Sequence, residues 1–165
     1  IKMGIQKIMM ISGDKQSISE NIAKEIGITE VHGGCLPQDK LKILKSMPGE
    51  FRPVVMVGDG VNDAPSLTVA DVGIAMGAKG SSAASDSADV VILRDNLQKV
   101  SDTILISKET MKIARQSVFI GIAVCTVLML IAAFGVLPAL IGAGLQEVVD
   151  VISITSALRA LKDRT

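Results

Sequence analysis

No charged residue occurs between Arg115 and Glu147, and most residues from Ser117 to Leu145 are Ala, Val, Ile, Leu, Met or Gly. This run limits the fold more than any other feature of the chain. A helix needs roughly 20 apolar residues to cross a bilayer, and the run exceeds that. A first membrane span is expected over 117–137. Gly135 and Pro138 then offer a turn, because Pro is accepted at a helix start and disfavoured in a helix interior. A second span is expected over 138–161, although it carries Glu147 and Asp150. Lys108, Lys112 and Arg115 precede the first span, and Arg159, Lys162 and Arg164 follow the second. Basic residues gather on the cytoplasmic side of membrane helices. Basic outer ends around an uncharged turn therefore predict a hairpin whose two ends face the cytoplasm. The alternative is a buried helical hairpin in a soluble core. The apolar segment is not expected to be a signal peptide, because it lies at the wrong end. With three Phe and no Trp or Tyr, an aromatic belt is missing, so the membrane reading rests on length and charge.

Whole-chain averages conceal this division. The 165 residues hold 17 basic and 17 acidic side chains, and 48% of residues are hydrophobic. Zero net charge gives no support for nucleic-acid binding, which normally shows a basic face. The apolar content is too high for disorder. Cys35 and Cys125 are too few for a disulfide scaffold and fit no zinc spacing. His32 and Cys35 are expected in a soluble loop without partner ligands.

Residues 1–95 read as alternating strands and helices. Apolar runs at Lys7–Ser12, Pro53–Val57, Val72–Ala75 and Val90–Leu93 are expected strands. Ser17–Ile26 has helical spacing, with Ile18, Ile22, Ala23 and Ile26 on one face. Pro37 opens a second helix. This alternation predicts an α/β fold with a mostly parallel sheet, covered on both faces. Ligands of such sheets bind beyond the carboxyl ends of the strands. Residues 96–116 are expected to form a helix leading into the membrane.

Two of those strand ends carry an Asp. Gly58–Pro65 (GDGVNDAP) is the denser cluster. Its glycines permit a sharp turn, and its two carboxylates and amide make a hard, oxygen-rich patch suited to Mg²⁺. An ordinary turn followed by an Asp helix cap is the plainer alternative. Ser12-Gly13-Asp14 follows the first strand, where a hydroxyl and backbone N–H groups can hold a phosphoryl oxygen. Lys40, early in the second helix, can meet a phosphate as a point charge or stand as a solvated surface charge.

These three motifs, in this order, resemble the haloacid dehalogenase superfamily, whose fold is a Rossmann-like parallel sheet. Met56–Pro65 (MVGDGVNDAP) looks like the hinge motif of P-type ATPases, and Leu67–Gly77 (LTVADVGIAMG) continues the likeness. A membrane hairpin ending in Ser156–Leu161 (SALRAL) is similar to the carboxyl end of the heavy-metal-transporting branch. The resemblance covers essentially the whole chain. It implies that Asp59 coordinates Mg²⁺, and that Asn62 and Asp63 orient the phosphoryl group and its ion shell. It implies that Lys40 offsets phosphate charge and that Ser12 bonds a phosphoryl oxygen where the family more often has Thr. Gly13 and Asp14 would complete that loop, with Asp14 on the nucleotide or actuator side.

The family's nucleophile lies in an Asp-Lys-Thr-Gly sequence, which does not occur here, and no Walker A pattern occurs either. The chain is therefore expected to be a carboxyl-terminal fragment: residues 1–95 part of the phosphorylation domain, 96–116 a connecting helix, 117–137 and 138–161 two spans, and 162–165 a cytoplasmic tail. ATP would be the substrate of the parent, whose upstream domains would be partners of this piece. A prokaryotic plasma membrane is the expected location, with the α/β part cytoplasmic. A membrane-tethered phosphatase is disfavoured because no Asp-x-Asp nucleophile pair precedes these motifs. A non-catalytic remnant is the third reading.

Gln146, Glu147 and Asp150 stand at i,i+4 and i,i+3 spacing on one helical face, extended by Ser153. Ionisable residues at membrane depth mark ion pathways. The plainer alternative is snorkelling or a bond to a neighbouring helix. Carboxylate and amide oxygens suit borderline or harder divalent ions better than Cu(I). The arrangement looks like a subgroup associated with iron, nickel or cobalt, with zinc and cadmium left open. Cys125 and Met129 are either added soft ligands or simple packing.

Overall fold

The computed structural model describes residues 4–59, 61–77, 82–135 and 138–161. The expected cytoplasmic tail, 162–165, lies outside the described residues. The chain separates into two compact units, Ile1–Ser101 and Asp102–Thr165.

The first unit alternates strand and helix in the order β1 (Met9–Ile11), α1 (Gln16–Ile26), β2 (Glu30–His32), α2 (Pro37–Lys45), β3 (Val55–Gly58), α3 (Ala64–Val69), β4 (Val72–Met76), α4 (Ser82–Asp86) and β5 (Val90–Ile92). Every pairing is parallel. β1 pairs with β2, Met9 opposite Glu30, and β3-β4-β5 form a second ladder, Val55 opposite Val72 and Ile74 opposite Val90. No hydrogen-bonded ladder joins β1 to β3 among the described residues. β2 is the strand that hydropathy did not reveal, since Glu-Val-His has no apolar run. His32 accordingly lies in a strand rather than in the expected loop, and Cys35 lies in the loop after it.

β4 is buried along Gly73–Met76, as a central strand covered on both faces should be. On one face Ala75 joins Leu44, Met56, Leu67 and Ala84. On the other, Ile74 and Met76 pack with Ile92 and with Val100 from the first turn of the following helix. A polar clamp closes the opening end of β3. Arg52 Nη1 meets both Asp71 oxygens at 2.7 and 2.9 Å, and Asp71 Oδ2 also accepts the Val54 N–H at 2.7 Å. The clamp leaves the carboxyl ends of β3 and β4 open for chemistry.

On β2, Lys7 Nζ lies 2.7 Å from Glu30 Oε2, and His32 Nε2 lies 3.5 Å from Oε1. The Lys7 hydrogen bond holds the Glu30 carboxyl below the ordinary glutamate range, with slight burial acting the other way. A carboxyl lowered in the folded state adds stability above its unfolded pKa and loses it as pH falls through the folded value. Glu30→Gln should therefore be slightly less stable than the parent chain at neutral pH. The gap should close as pH drops below about 4.3, the usual glutamate value. Urea unfolding of the detergent-solubilised chain over a pH series checks this; a gap that widens in acid contradicts it. Because both side chains are about one-third exposed, the effect is small.

The helix α5 (Gln98–Ala133) is unbroken across most of the expected connecting helix, 96–116, and of the expected first span, 117–137, ending four residues before 137; residues 136 and 137 lie outside the described residues. α6 (Ala139–Ala157) follows Pro138 and ends in a 3-10 turn, Leu158–Leu161. Both are long and apolar enough to cross a membrane. Ser117, Gly121 and Cys125 stand four residues apart on α5 and meet α6 at Ser156, Ser153 and Gln146. Small residues let membrane helices approach closely, which replaces the hydrophobic drive that lipid cannot supply. A Cβ on Gly121 would lie 3.1 Å from Ser153 Oγ, so the seam has little slack.

Candidate functional site

β3 delivers the central residues. Its last residue, Gly58, is buried, and Asp59 follows with an exposed side chain. Gly60 lies outside the described residues. A 3-10 turn, Val61–Asp63, then leads into α3, with Pro65 in its first turn. Asn62 is exposed, whereas Asp63 is only 8% exposed.

The plainer expectation for Asp63 was a helix cap. It does occupy that position at the start of α3, but its carboxylate makes no capping bond. Instead Lys40 Nζ donates to Asp63 Oδ1 at 2.6 Å, with both side chains largely buried. Lys40 reaches this point because α2 starts at Pro37. The Asp39 carboxylate fixes that start by accepting the Leu36 N–H at 3.2 Å. α2 packs on α3, so a lysine one turn into α2 faces the end of β3. A buried ion pair of this kind is weak evidence for stability, because desolvation offsets much of the attraction. It is better read as fixing where a carboxylate and an ammonium sit.

Gly58 makes the pair possible. A Cβ built there would lie 2.8 Å from Asp63 Cβ and 3.0 Å from Oδ2. Gly58→Ala must displace the Asp63 carboxylate from Lys40 and should cost about 1–3 kcal/mol, as overpacking does. In the Gly58→Ala/Asp63→Gly double variant the Asp63 Cβ, Cγ and Oδ2 that the new methyl would meet are all gone, so its cost should fall well short of the sum of the singles. Denaturant unfolding of the full chain measures the cycle; strict additivity would remove this account of Gly58. Sequence alone marked Gly58 as a turn residue; nothing in it signalled the approach of Asp63.

The second strand end is separate. Past β1, the Ser12 N–H donates to His32 O at 2.9 Å and the Cys35 N–H to Ser12 O at 3.0 Å. Ser12 Oγ donates to Asp14 Oδ2 at 3.1 Å and accepts the Asp14 N–H at 3.1 Å. Gly13 is exposed between them. The Ser12 hydroxyl is thus held by Asp14, and must rotate to serve a phosphoryl oxygen. No hydrogen bond joins Ser12 or Asp14 to Lys40, Asp59 or Asp63 among the described residues. Both clusters nonetheless lie just beyond the carboxyl end of a parallel strand, where α/β sheets bind ligands.

The donor set fits Mg²⁺ held by few protein groups. Asp59 offers an exposed carboxylate, while one Asp63 oxygen is committed to Lys40, which suits Asp63 to the outer shell. Among the described residues no group of three or more His, Cys, Asp or Glu gathers, and Mg²⁺ characteristically keeps several waters.

In the second unit Gln146 and Asp150 are joined, Nε2 to Oδ1 at 3.2 Å, and Cys125 Sγ lies 3.4 Å from Gln146 Oε1. The expected stripe is therefore divided. Gln146 meets α5 and carries Asp150 with it, and Ser153 opposes Gly121, while Glu147 has no hydrogen-bond partner among the described residues. The proximity of Cys125 to Gln146 was not legible from spacing, because it depends on how α5 and α6 pair.

A family model described as haloacid dehalogenase-like hydrolase matches residues 1–71. The chain is 39% identical over 134 residues to a probable cadmium-transporting ATPase of Listeria monocytogenes, covering 81% of this chain and 19% of that protein. It is 35% identical over 161 residues to a manganese-exporting P-type ATPase of Mycobacterium leprae, covering 98% of this chain and 22% of that one. It also resembles the crystal structure of a zinc-transporting PIB-type ATPase, with a TM-score of 0.80 and 29% identity over 93% of this chain and 25% of the other. The chain thus spans about a fifth of the length of the curated relatives it matches.

Proposed function

The chain belongs to the heavy-metal branch of the P-type ATPases, and from that premise we propose that it supplies the phosphate shell and part of the ion path of a metal pump. The pump would drive a divalent transition-metal cation across a membrane, in the export direction, through an aspartyl-phosphate. The observation that carries this reading is the Lys40–Asp63 pair at 2.6 Å beside the exposed Asp59. An ordinary turn and helix cap would not bury a lysine against a carboxylate at a strand end.

Phosphoryl transfer asks a protein mainly for positioning and charge neutralisation. Bound Mg²⁺ would supply charge neutralisation at the phosphoryl oxygens. Asp59 would hold that ion, and Asp63 and Asn62 would orient its shell. Lys40, steered by Asp63, would oppose the negative charge. Ser12, released from Asp14, would donate to a phosphoryl oxygen, with Gly13 allowing close backbone approach. The covalent acceptor would come from sequence outside these residues, which contain no Asp-Lys-Thr-Gly.

In the membrane part, Gln146, Glu147 and Asp150 would offer oxygen ligands, with the Cys125 sulfur near Gln146. This mixture suits borderline divalent ions such as zinc, cadmium, cobalt, nickel or iron better than Cu(I). The proteins named for cadmium and zinc support that range, and the one named for manganese widens it toward a harder ion. The hairpin would place both basic ends, and the α/β unit, on the cytoplasmic side.

Incubating the 165-residue chain with labelled ATP and Mg²⁺ should yield no acid-stable phosphoenzyme, because the acceptor is missing. Joined to the remaining domains of the pump, the same residues should support a metal-dependent one. A labelled band from the chain alone, or none from the complete protein, contradicts the proposal.

A further inference from the structure

A groove of about 930 Å³ opens on the second unit, between α5 and the turn that ends α6. Its cations are Lys112 and Arg115 from α5 and Arg159 from the turn after α6, with Lys108 above them. Its apolar surface comes from Met111, Phe119 and Ile120, which are 53%, 69% and 46% exposed. The spacing explains the arrangement: Lys108, Lys112, Arg115 and Phe119 fall four, three and four residues apart, hence on one stripe of α5. Along that stripe the chemistry changes from cationic to apolar within one turn, at the residue where the uncharged run begins. Among the described residues no carboxylate lines the groove. Arg159 is braced there, its Nε donating to Ser156 O at 2.9 Å and its Nη2 to Ser156 Oγ.

We propose that this groove binds one anionic phospholipid, its phosphate headgroup against Lys112, Arg115 and Arg159 and its acyl chain along Phe119 and Ile120. Charge complementarity chooses the occupant. Basic pockets between membrane helices on the cytoplasmic side suit anionic headgroups. A second copy of the chain would bring the same cations against themselves. The pairing of headgroup cations with an apolar continuation also separates a lipid from a free phosphate, which would use only the cations. The inference goes beyond the transport reading and requires only that α5 and α6 span a bilayer.

The test is native mass spectrometry of the full chain, released from nanodiscs of equimolar phosphatidylcholine and phosphatidylglycerol. One phosphatidylglycerol should be retained, with roughly tenfold preference over phosphatidylcholine. Lys112→Gln/Arg115→Gln/Arg159→Gln should abolish that preference. Lys24→Gln/Lys42→Gln/Lys45→Gln, which removes the same charge from the first unit, should leave it intact, as should Arg115→Lys. Equal retention of both lipids, or an unchanged preference in the groove variant, overturns the proposal. So does displacement of phosphatidylglycerol by inorganic phosphate at equal concentration, which would mark a small-anion site. A chain that pairs through this groove and retains no lipid overturns it as well. A chain that never enters the nanodisc removes the membrane reading together with the lipid site, and is recognised by the absence of any chain–nanodisc particle.

Discussion

Asp59→Asn in the complete pump should lower phosphoenzyme formation from ATP by about 10³-fold or more, an effect of roughly 4 kcal/mol on the barrier. The residue stands at the carboxyl end of β3 with an exposed carboxylate. The substitution keeps its size and removes its charge. Phosphoryl transfer depends on electrostatic stabilisation, so if Asp59 holds Mg²⁺ as proposed, losing its charge removes a large share of that stabilisation. The protein should still reach the membrane, because Asp59 is exposed and outside both core clusters. Acid-stable labelling at matched protein level reads the result. Lys40→Ala should also fall steeply, but with an added folding defect, because it leaves Asp63 buried without its partner. A comparison of the two separates chemistry from stability: Asp59→Asn should unfold at the same denaturant concentration as the parent, and Lys40→Ala at a lower one.

Asp150→Ala should abolish metal stimulation of ATP hydrolysis, and Glu147→Ala should lower it strongly. From Gln116 to Leu158 these are the only charged residues, and both are negative. A carboxylate at membrane depth is costly, so its retention calls for a function such as meeting a cation. Asp150 is further tied to Gln146, which touches Cys125 across the helix pair, so Asp150→Ala also releases Gln146. The two substitutions thus differ in kind. Glu147→Ala removes one proposed ligand, whereas Asp150→Ala removes a proposed ligand and also releases the Gln146 side chain that it holds. Titrating ATPase rate against zinc and cadmium should show a raised half-stimulating concentration for Glu147→Ala and no stimulation for Asp150→Ala. Full stimulation in both would leave the pathway without these residues.

Much of the fold was legible because the two units carry opposite signals. The uncharged run fixed the helical pair by length alone, and the alternation of apolar runs with Pro37- and Ile22-type helical spacing announced a parallel α/β unit. β2 escaped because Glu30-Val31-His32 pairs with β1 through its backbone while its side chains serve a surface ion cluster. The paired site was half legible. The string around Asp59 and Asp63 stood out and the resemblance singled out Lys40, but the pairing of Lys40 with Asp63 depends on α2 packing against α3. What decides the pair, the missing Cβ at Gly58, is a close approach that only three-dimensional packing reveals. The same holds for Cys125 and Gln146, which depend on the antiparallel register set by Ser117 against Ser156 and Gly121 against Ser153.

The central claim is that one chain couples a phosphate site at the end of β3 to a cation path in α6. Its most direct test is ATP-driven uptake of zinc or cadmium into inverted membrane vesicles containing the complete pump. Uptake should occur with the native residues and vanish in both Asp59→Asn and Asp150→Ala, although the two substitutions lie in different units. ATP-driven uptake that survives undiminished in either variant would contradict the account.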